Sequence, residues 1–161
     1  MKQKVALLEI LRWAAVLLAV VLLVVSFRQA PSSDAAPEDV MAAGTATLDM
    51  SNLQPGDNQM IKRLYSLNPG DYESCLLYYP LTNMEAEEVL LIKLTDPAQA
   101  ESVQAALEAR LETQKTSFDG YGLEQYDLLT KHCVIEVRGN YILFVVHADC
   151  DAARQAFLGA L

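Results

Sequence analysis

Apolar and polar positions recur with the periods of strands and helices from about residue 48 to the end of the chain. Two runs dense in strand formers, SCLLYYP and EEVLLIKLT, are joined by a polar connection and predict an antiparallel pair. A third and a fourth run, CVIEVR and YILFVV, flank Gly139-Asn140. The pattern therefore predicts two β-hairpins.

Segments with helical spacing of apolar residues precede and follow these strands. The segment QMIKRLYSL follows the capping residues Asp57 and Asn58, and Asp96-Pro97-Ala98-Gln99 forms a capping box with proline at the first helical position. Ala100, Val103, Leu107 and Leu111 then recur on one side of a helix that runs to about Lys115. A shorter helix, LEQYDLLTK, and a final helix after Asp149 complete the order α-ββ-α-α-ββ-α.

The second hairpin has a predictable register. Gly139-Asn140 suits a two-residue turn, which pairs Arg138 with Tyr141 and places His132 opposite His147. One face then holds only apolar residues and must be the core side. These are Cys133, Ile135, Val137, Ile142, Phe144 and Val146. The histidines belong to the other, mixed face, and we expect both to be partly exposed.

These elements predict an α+β fold, in which one antiparallel sheet built from two hairpins is covered by helices on one face. The folded unit is expected over residues 48–161. Residues 29–47, QAPSSDAAPEDVMAAGTAT, are rich in Ala, Pro and Ser without a sustained period, and predict a disordered linker.

The N-terminal 28 residues have a different character. Residues 13–27 contain no charge, and with residues 8–12 they form a run of 20 residues interrupted only by Glu9 and Arg12. As a helix this run is about 30 Å long, which matches the hydrocarbon core of a bilayer. The sequence therefore predicts a transmembrane helix that contacts lipid through residues 8–27.

Basic residues set the expected orientation. Lys2 and Lys4 precede the apolar run, which favours a cytoplasmic N-terminus and an extracytoplasmic C-terminal domain. We favour an uncleaved signal anchor, because the small-residue sites after the run are followed by Pro31 and Pro37. The alternative is a cleaved secretory signal, with cleavage after Ala35 still open; it too places the domain outside the cytoplasm.

Charge narrows the range of partners. Residues 1–28 carry four basic side chains and one acidic, whereas the remainder carries 8 basic and 20 acidic, so the two parts have net charges of +3 and −12. A domain this acidic repels phosphate backbones and lacks a basic stripe. We therefore expect no nucleic-acid partner.

Candidate chemistry is sparse. His132, His147 and Cys150 could contribute to a metal site, but a metal needs at least three converging ligands, so we predict no metal and no cofactor. Cys75, Cys133 and Cys150 lack a metal-type spacing, and we expect small buried side chains with at most one disulfide. Motifs of the type GxSxG, HExxH, GxxxxGK[ST] and GxGxxG are absent from the sequence, and we predict no catalytic residue.

Two further groups could face a partner. Glu85, Glu87 and Glu88 form an acidic cluster that could attract calcium, although we interpret it as a solvated strand edge. Phe118, Tyr121 and Tyr126 lie in a polar stretch and could present an aromatic surface to a partner. The alternative, which we favour, is that these rings pack into the junction of two helices.

The order of segments resembles a bacterial family, the domain of unknown function 4358, over about residues 58–157. The most similar positions are Glu88, Arg110, Gln114, Gly120, Tyr121, Glu124, Gln125, Gly139, Asn140 and Tyr141. Leu123 stands where that family tends to have proline. The resemblance implies a membrane-anchored extracytoplasmic protein and assigns no activity or catalytic residues.

Three function classes follow. The leading hypothesis is a non-catalytic binding or interaction module at the cell envelope, whose partner is a protein or small ligand. The competing hypotheses are an envelope hydrolase with a His/Cys metal or thiol site, and a structural subunit of a membrane assembly.

Overall fold

The structure, a computed structural model, describes residues 30–161 and, before them, Trp13 alone. The predicted transmembrane run, residues 8–27, otherwise lies outside the described residues. Among the residues that are described, no helix combines the length and apolar character needed to cross a membrane. Residues Ser32–Leu161 form one compact unit.

A single five-stranded antiparallel sheet organises this unit, which confirms the α+β class. Its strands are β1 (Leu53–Gly56), β2 (Ser74–Pro80), β3 (Glu88–Lys93), β4 (Cys133–Arg138) and β5 (Tyr141–Val146). Their spatial order is β1-β2-β3-β5-β4, so β3 lies at the centre. Both predicted hairpins are present, and β1 is an additional strand that the sequence pattern did not indicate.

The register of the second hairpin is as predicted. Arg138 pairs with Tyr141 and Cys133 with Val146, and His147 N donates to His132 O at 3.0 Å one step beyond the ladder. Gly139 has a φ of 59°, a conformation that glycine adopts without a steric penalty. The turn chemistry thus fixes the pairing.

Five α-helices of the Ser32–Leu161 unit pack on the sheet. They are α1 (Pro37–Thr45), α2 (Asn58–Tyr65), α3 (Ala100–Phe118), α4 (Leu123–Lys131) and α5 (Cys150–Ala160). The predicted cap at Asp57 and the capping box before α3 are confirmed: Asp57 accepts from Met60 N, and Asp96 and Gln99 form the reciprocal capping box. Asn58, also predicted as a cap, is instead the first residue of α2. Asp149 is the N-cap residue of α5, but its side chain makes no capping hydrogen bond.

The helices cover both faces of the sheet, so the prediction of a one-sided arrangement is wrong. Helices α2, α3 and α4 contribute Ile61, Leu107 and Leu129 to a core on the first face. Helices α1 and α5 contribute Val40 and Phe157 to a second core on the opposite face. Every residue of β3 and β5 is buried, because a core packs on each face of these central strands.

Helix α1 corrects the prediction of a disordered linker over residues 29–47. Val40, Met41 and Gly44 are buried, and Val40 and Met41 belong to the second core. Pro37 occupies the first turn, where its missing N–H is not needed. The Ala-rich composition did not predict this helix, because its stability depends on packing against α5 and the sheet.

A clamp holds the extended segment before α1 against the second hairpin. Ser33 N donates to Asn140 Oδ1 at 2.8 Å, and Asn140 Nδ2 donates back to Ser33 O at 3.2 Å. The carbonyl oxygen of Ala35 accepts from Tyr141 OH at 2.5 Å and from Lys93 Nζ at 3.4 Å. Asn140 and Tyr141, two of the positions that carry the family resemblance, therefore secure the chain as it enters the domain.

Candidate functional site

A groove of about 540 Å³ lies beside α4, at the end of the sheet where β3 and β4 begin and β5 ends. We call it the α4 groove. It is lined by Glu87, Leu123, Glu124, Gln125, Asp127, Leu128, His132 and Ala148. Its volume is within the range of small-ligand and side-chain pockets, roughly 300–1,000 Å³.

Tertiary contacts position the groove. Gln125 Oε1 accepts from Ala86 N at 2.8 Å, which ties the loop before β3 to α4. The turn that precedes α4 is tight: Gly120 has a φ of 84°, and a Cβ on Gly122 would lie only 2.5 Å from Phe118 Cδ1. Side chains at these two positions would move the start of α4, and with it one wall of the groove.

Carboxylates dominate the charge of the groove. Glu87, Glu124 and Asp127 all line it, and Asp127 also pairs with Lys131 at 2.5 Å on the exposed side of α4. Glu85 lies in the loop before β3; its Oε2 atom is buried and accepts no hydrogen bond from the described part of the chain. Glu85 does not line the groove, so the acceptor oxygens that the groove offers to a ligand are those of Glu87, Glu124 and Asp127.

The rim of the groove is apolar as well as acidic. Leu123, which lines the groove, is 78% exposed. Tyr121 and Tyr126, which are close to Leu123 in the sequence, are 64% and 37% exposed. Phe118, in contrast, is 4% exposed and packs in the first core. The interpretation of these rings as a partner surface is thus wrong for Phe118, and the alternative of burial is wrong for Tyr121.

The two histidines have different environments. His132 is half-buried and lines the α4 groove. His147 is only 3% exposed, so the prediction of partial exposure is wrong for it. Asp149 N donates to His147 Nδ1 at 2.9 Å, which requires a lone pair there and puts the proton of the neutral ring on Nε2. That Nε2 lies 3.7 Å from Oε1 of Glu87, which lines the groove, so the buried imidazole is close to one of its carboxylates.

The three cysteines are free, and they are not placed as nucleophiles. Burial raises the pKa of Cys75 to about 12, and it also raises the pKa values of Cys133 and Cys150. Since the thiolate is the reactive form, these shifts lower the reactivity of all three. Across the described residues, His, Cys, Asp and Glu side chains form no group of three or more that could hold a metal ion.

A buried polar network lies on the first face of the sheet, centred on Glu88. This residue is fully buried, so the interpretation of residues 85–88 as a solvated strand edge is wrong for Glu88. Its carboxylate accepts from Arg110 Nη2 at 2.7 Å and Nε at 3.3 Å, from Gln114 Nε2 at 3.3 Å, and from the Tyr65 hydroxyl. Sequence reasoning missed these partners, because only the fold brings α2 and α3 to the first residue of β3.

The network joins three elements rather than forming a reactive site. Arg110 and Gln114 are four residues apart and so lie on one face of α3. Burial, followed by the charge of Glu88, raises the pKa of Tyr65 well above its usual value, so the phenol stays protonated and donates to Glu88. We conclude that Glu88 fixes α2 and α3 at the end of β3 that adjoins the α4 groove.

Comparison with known families gives one match. A family model described as a domain of unknown function, DUF4358, matches residues 46–147. No curated protein matches the chain, and no solved structure matches it. The matched range contains the five strands together with α2, α3 and α4, and it leaves out both helices of the second face, α1 and α5.

Proposed function

Since the chain belongs to DUF4358, a family whose description names no activity, we propose a function from its geometry: a non-catalytic binding module of the cell envelope. The α4 groove is the proposed contact site. The observation that supports it is the combination, in one groove, of three carboxylates with the highly exposed Leu123. Exposed apolar side chains grouped at a concave surface are typical of interaction sites.

We further propose that the protein is a single-pass membrane protein with its C-terminal domain outside the cytoplasm. The apolar run of residues 8–27 and the preceding Lys2 and Lys4 support this location. In that arrangement the α4 groove faces the envelope, where it can meet other extracytoplasmic proteins. Only a short stretch of chain then separates the proposed anchor from Ser33 and Ala35, where the clamp holds the start of the folded domain.

A binding role agrees better with the site than a hydrolase does. A thiol hydrolase needs a cysteine of lowered pKa beside a histidine. Cys133 directly follows His132 and Cys150 comes shortly after His147, but burial raises the pKa of both thiols. Cys133 packs against the first core and Cys150 lies in the second, whereas His132 lines the α4 groove. The groove itself offers carboxylates and one imidazole, which are groups suited to holding a ligand by charge and hydrogen bonds.

Site-specific crosslinking tests the proposed site. A photoreactive amino acid is placed at Leu123 in the full chain, and a control is placed at Glu101, an exposed position on α3 that does not line the groove. We expect a discrete adduct of higher mass from position 123 in cells, and none from position 101. Equal adduct patterns from the two positions, or no adduct from position 123, would contradict the proposal.

A further inference from the structure

We propose that the segment bound in the α4 groove is a basic one: a stretch of another protein that presents lysine or arginine together with an apolar side chain. This inference rests on the proposed binding function and adds the chemistry of the partner. Charge complementarity and the exposed apolar side chains of the groove both favour such a protein segment.

Charge is the first argument. Glu87, Glu124 and Asp127 line the groove, and His132 is the only other titratable group that the described residues contribute to its lining. Lys131 neutralises one of these carboxylates, Asp127, from the solvent side. With 8 basic and 20 acidic side chains, residues 29–161 carry a net charge of −12, so an anionic partner is repelled both locally and at long range.

The aromatic rim is the second argument. Tyr121 and Tyr126 are exposed and lie close in the sequence to the lining residues Leu123, Glu124 and Asp127. A lysine or arginine can lie over an aromatic ring while it pairs with a carboxylate. Leu123 and Leu128 add apolar surface to the same groove. A partner side chain that is long, cationic and partly aliphatic satisfies both features, because its stem covers apolar surface while its head reaches an acid.

Size is the third argument. About 540 Å³ accommodates a few side chains of one segment rather than a single small ion. The described residues also form no group of three or more ligands for a metal ion. A peptide-like cation therefore fits the groove better than a divalent metal does.

The test uses the full chain in nanodiscs of zwitterionic lipid, with the photoreactive residue at position 123. Three synthetic peptides of about twelve residues serve as probes; they share leucine positions and carry lysine, glutamine or glutamate at the others. We expect the lysine peptide to be crosslinked at the lowest concentration. Raising the salt concentration should weaken its binding, because the charges of the groove are partly solvated.

Matched charge variants make the test specific. The double variant Glu87→Gln/Glu124→Gln should raise the half-saturating concentration of the lysine peptide about three- to tenfold, as expected for two partly exposed ion pairs. The control Glu101→Gln/Glu112→Gln removes the same charge from exposed positions on α3 and should leave it unchanged. An equal shift in the two double variants, equal binding of the glutamine peptide, or crosslinking to a second copy of the chain would overturn the inference.

The inference and the proposed function can fail separately. If the adduct formed in cells from position 123 persists at the same yield in Glu87→Gln/Glu124→Gln, the groove binds a partner that is not recognised by charge. In that case the binding function stands and the basic partner is wrong. If position 123 gives no specific adduct in cells, the binding function itself is wrong.

Discussion

A domain that begins at Leu48 will fail to fold cooperatively, whereas one that begins at Ser32 will fold. Residue 48 is where the sequence pattern places the start of the domain, and residue 46 is where the family match begins. Both boundaries remove α1 and the clamp at Ser33 and Ala35. The second face of the sheet, with Tyr141, Leu143 and Val145, would then be uncovered on the side of α1.

The expected loss of folding free energy is a large fraction of the stability of a domain. Val40 and Met41 are buried, and full burial of such side chains contributes about 1.5–3 kcal/mol each, so their removal costs roughly 3–6 kcal/mol. The total free energy of unfolding of a domain is about 5–15 kcal/mol. Urea unfolding followed by far-UV circular dichroism should give a cooperative transition for residues 32–161 and a weak or absent one for residues 48–161.

A pair of substitutions within α1 separates packing from chain length. In the full chain, Val40→Ser should lower the urea midpoint strongly, since it puts a hydroxyl in the second core. Ala42→Ser, at an exposed position of the same helix, should change it little. Equal midpoints for the two truncated domains, or equal effects of the two substitutions, would show that α1 does not contribute to the stability of the fold.

Removing Arg110 will destabilise the domain more than removing any surface charge. Arg110→Ala leaves the fully buried carboxylate of Glu88 without its cationic partner. Breaking a buried ion pair from one side typically costs about 3–5 kcal/mol. The remaining donors, Tyr65 and Gln114, offset only part of the desolvation of the carboxylate.

Two further variants test this explanation. The double substitution Glu88→Leu/Arg110→Met replaces both charges with apolar groups, and it should be more stable than Arg110→Ala alone. Lys131→Ala, which breaks the exposed pair with Asp127, should cost less than about 1 kcal/mol. Denaturant titrations of the three variants measure these differences. A cost for Arg110→Ala no greater than that for Lys131→Ala would contradict a structural role for the network.

Local chemistry predicted much of the fold. The Gly139-Asn140 turn fixed the register of the second hairpin, and the caps at Asp57 and Asp96 marked where helical structure begins. Each of these features depends on residues close together in the chain, so the sequence carries it directly. The strand β1, whose sequence is LQPG, was missed because a short edge strand with proline has little strand character of its own.

The sequence did not predict that helices cover the second face of the sheet, because that arrangement depends on tertiary packing. The runs VLLIK and YILFVV are apolar at successive positions rather than alternating, and a continuous apolar run indicates burial on both faces. These two runs therefore indicated that a second layer covers the sheet, although no helices were predicted to form that layer. The Ala-rich segment that supplies α1 looked like a linker, because its helix is weak without that layer.

The candidate site was predicted only in part. His132 and Glu87, which the sequence singled out, do line the α4 groove, and Tyr121 is exposed. Leu123 and Glu124 appeared in the sequence analysis only through the family resemblance and were not predicted to line a site, since their position there depends on the hydrogen bond from Ala86 to Gln125 that brings loop and helix together. Contacts over 39 residues of sequence separation cannot be found from a local pattern.

Cysteine labelling in intact cells tests most directly the claim that the α4 groove is an occupied binding site outside the cytoplasm. Leu123→Cys and Glu101→Cys are introduced separately into the full chain, and the reaction of the unmodified chain is subtracted. We expect a membrane-impermeant maleimide to label both positions from outside, and only position 123 to react more slowly in cells than in the purified protein. Labelling only after the cells are broken, or equal rates at position 123 in cells and in the purified protein, would contradict it.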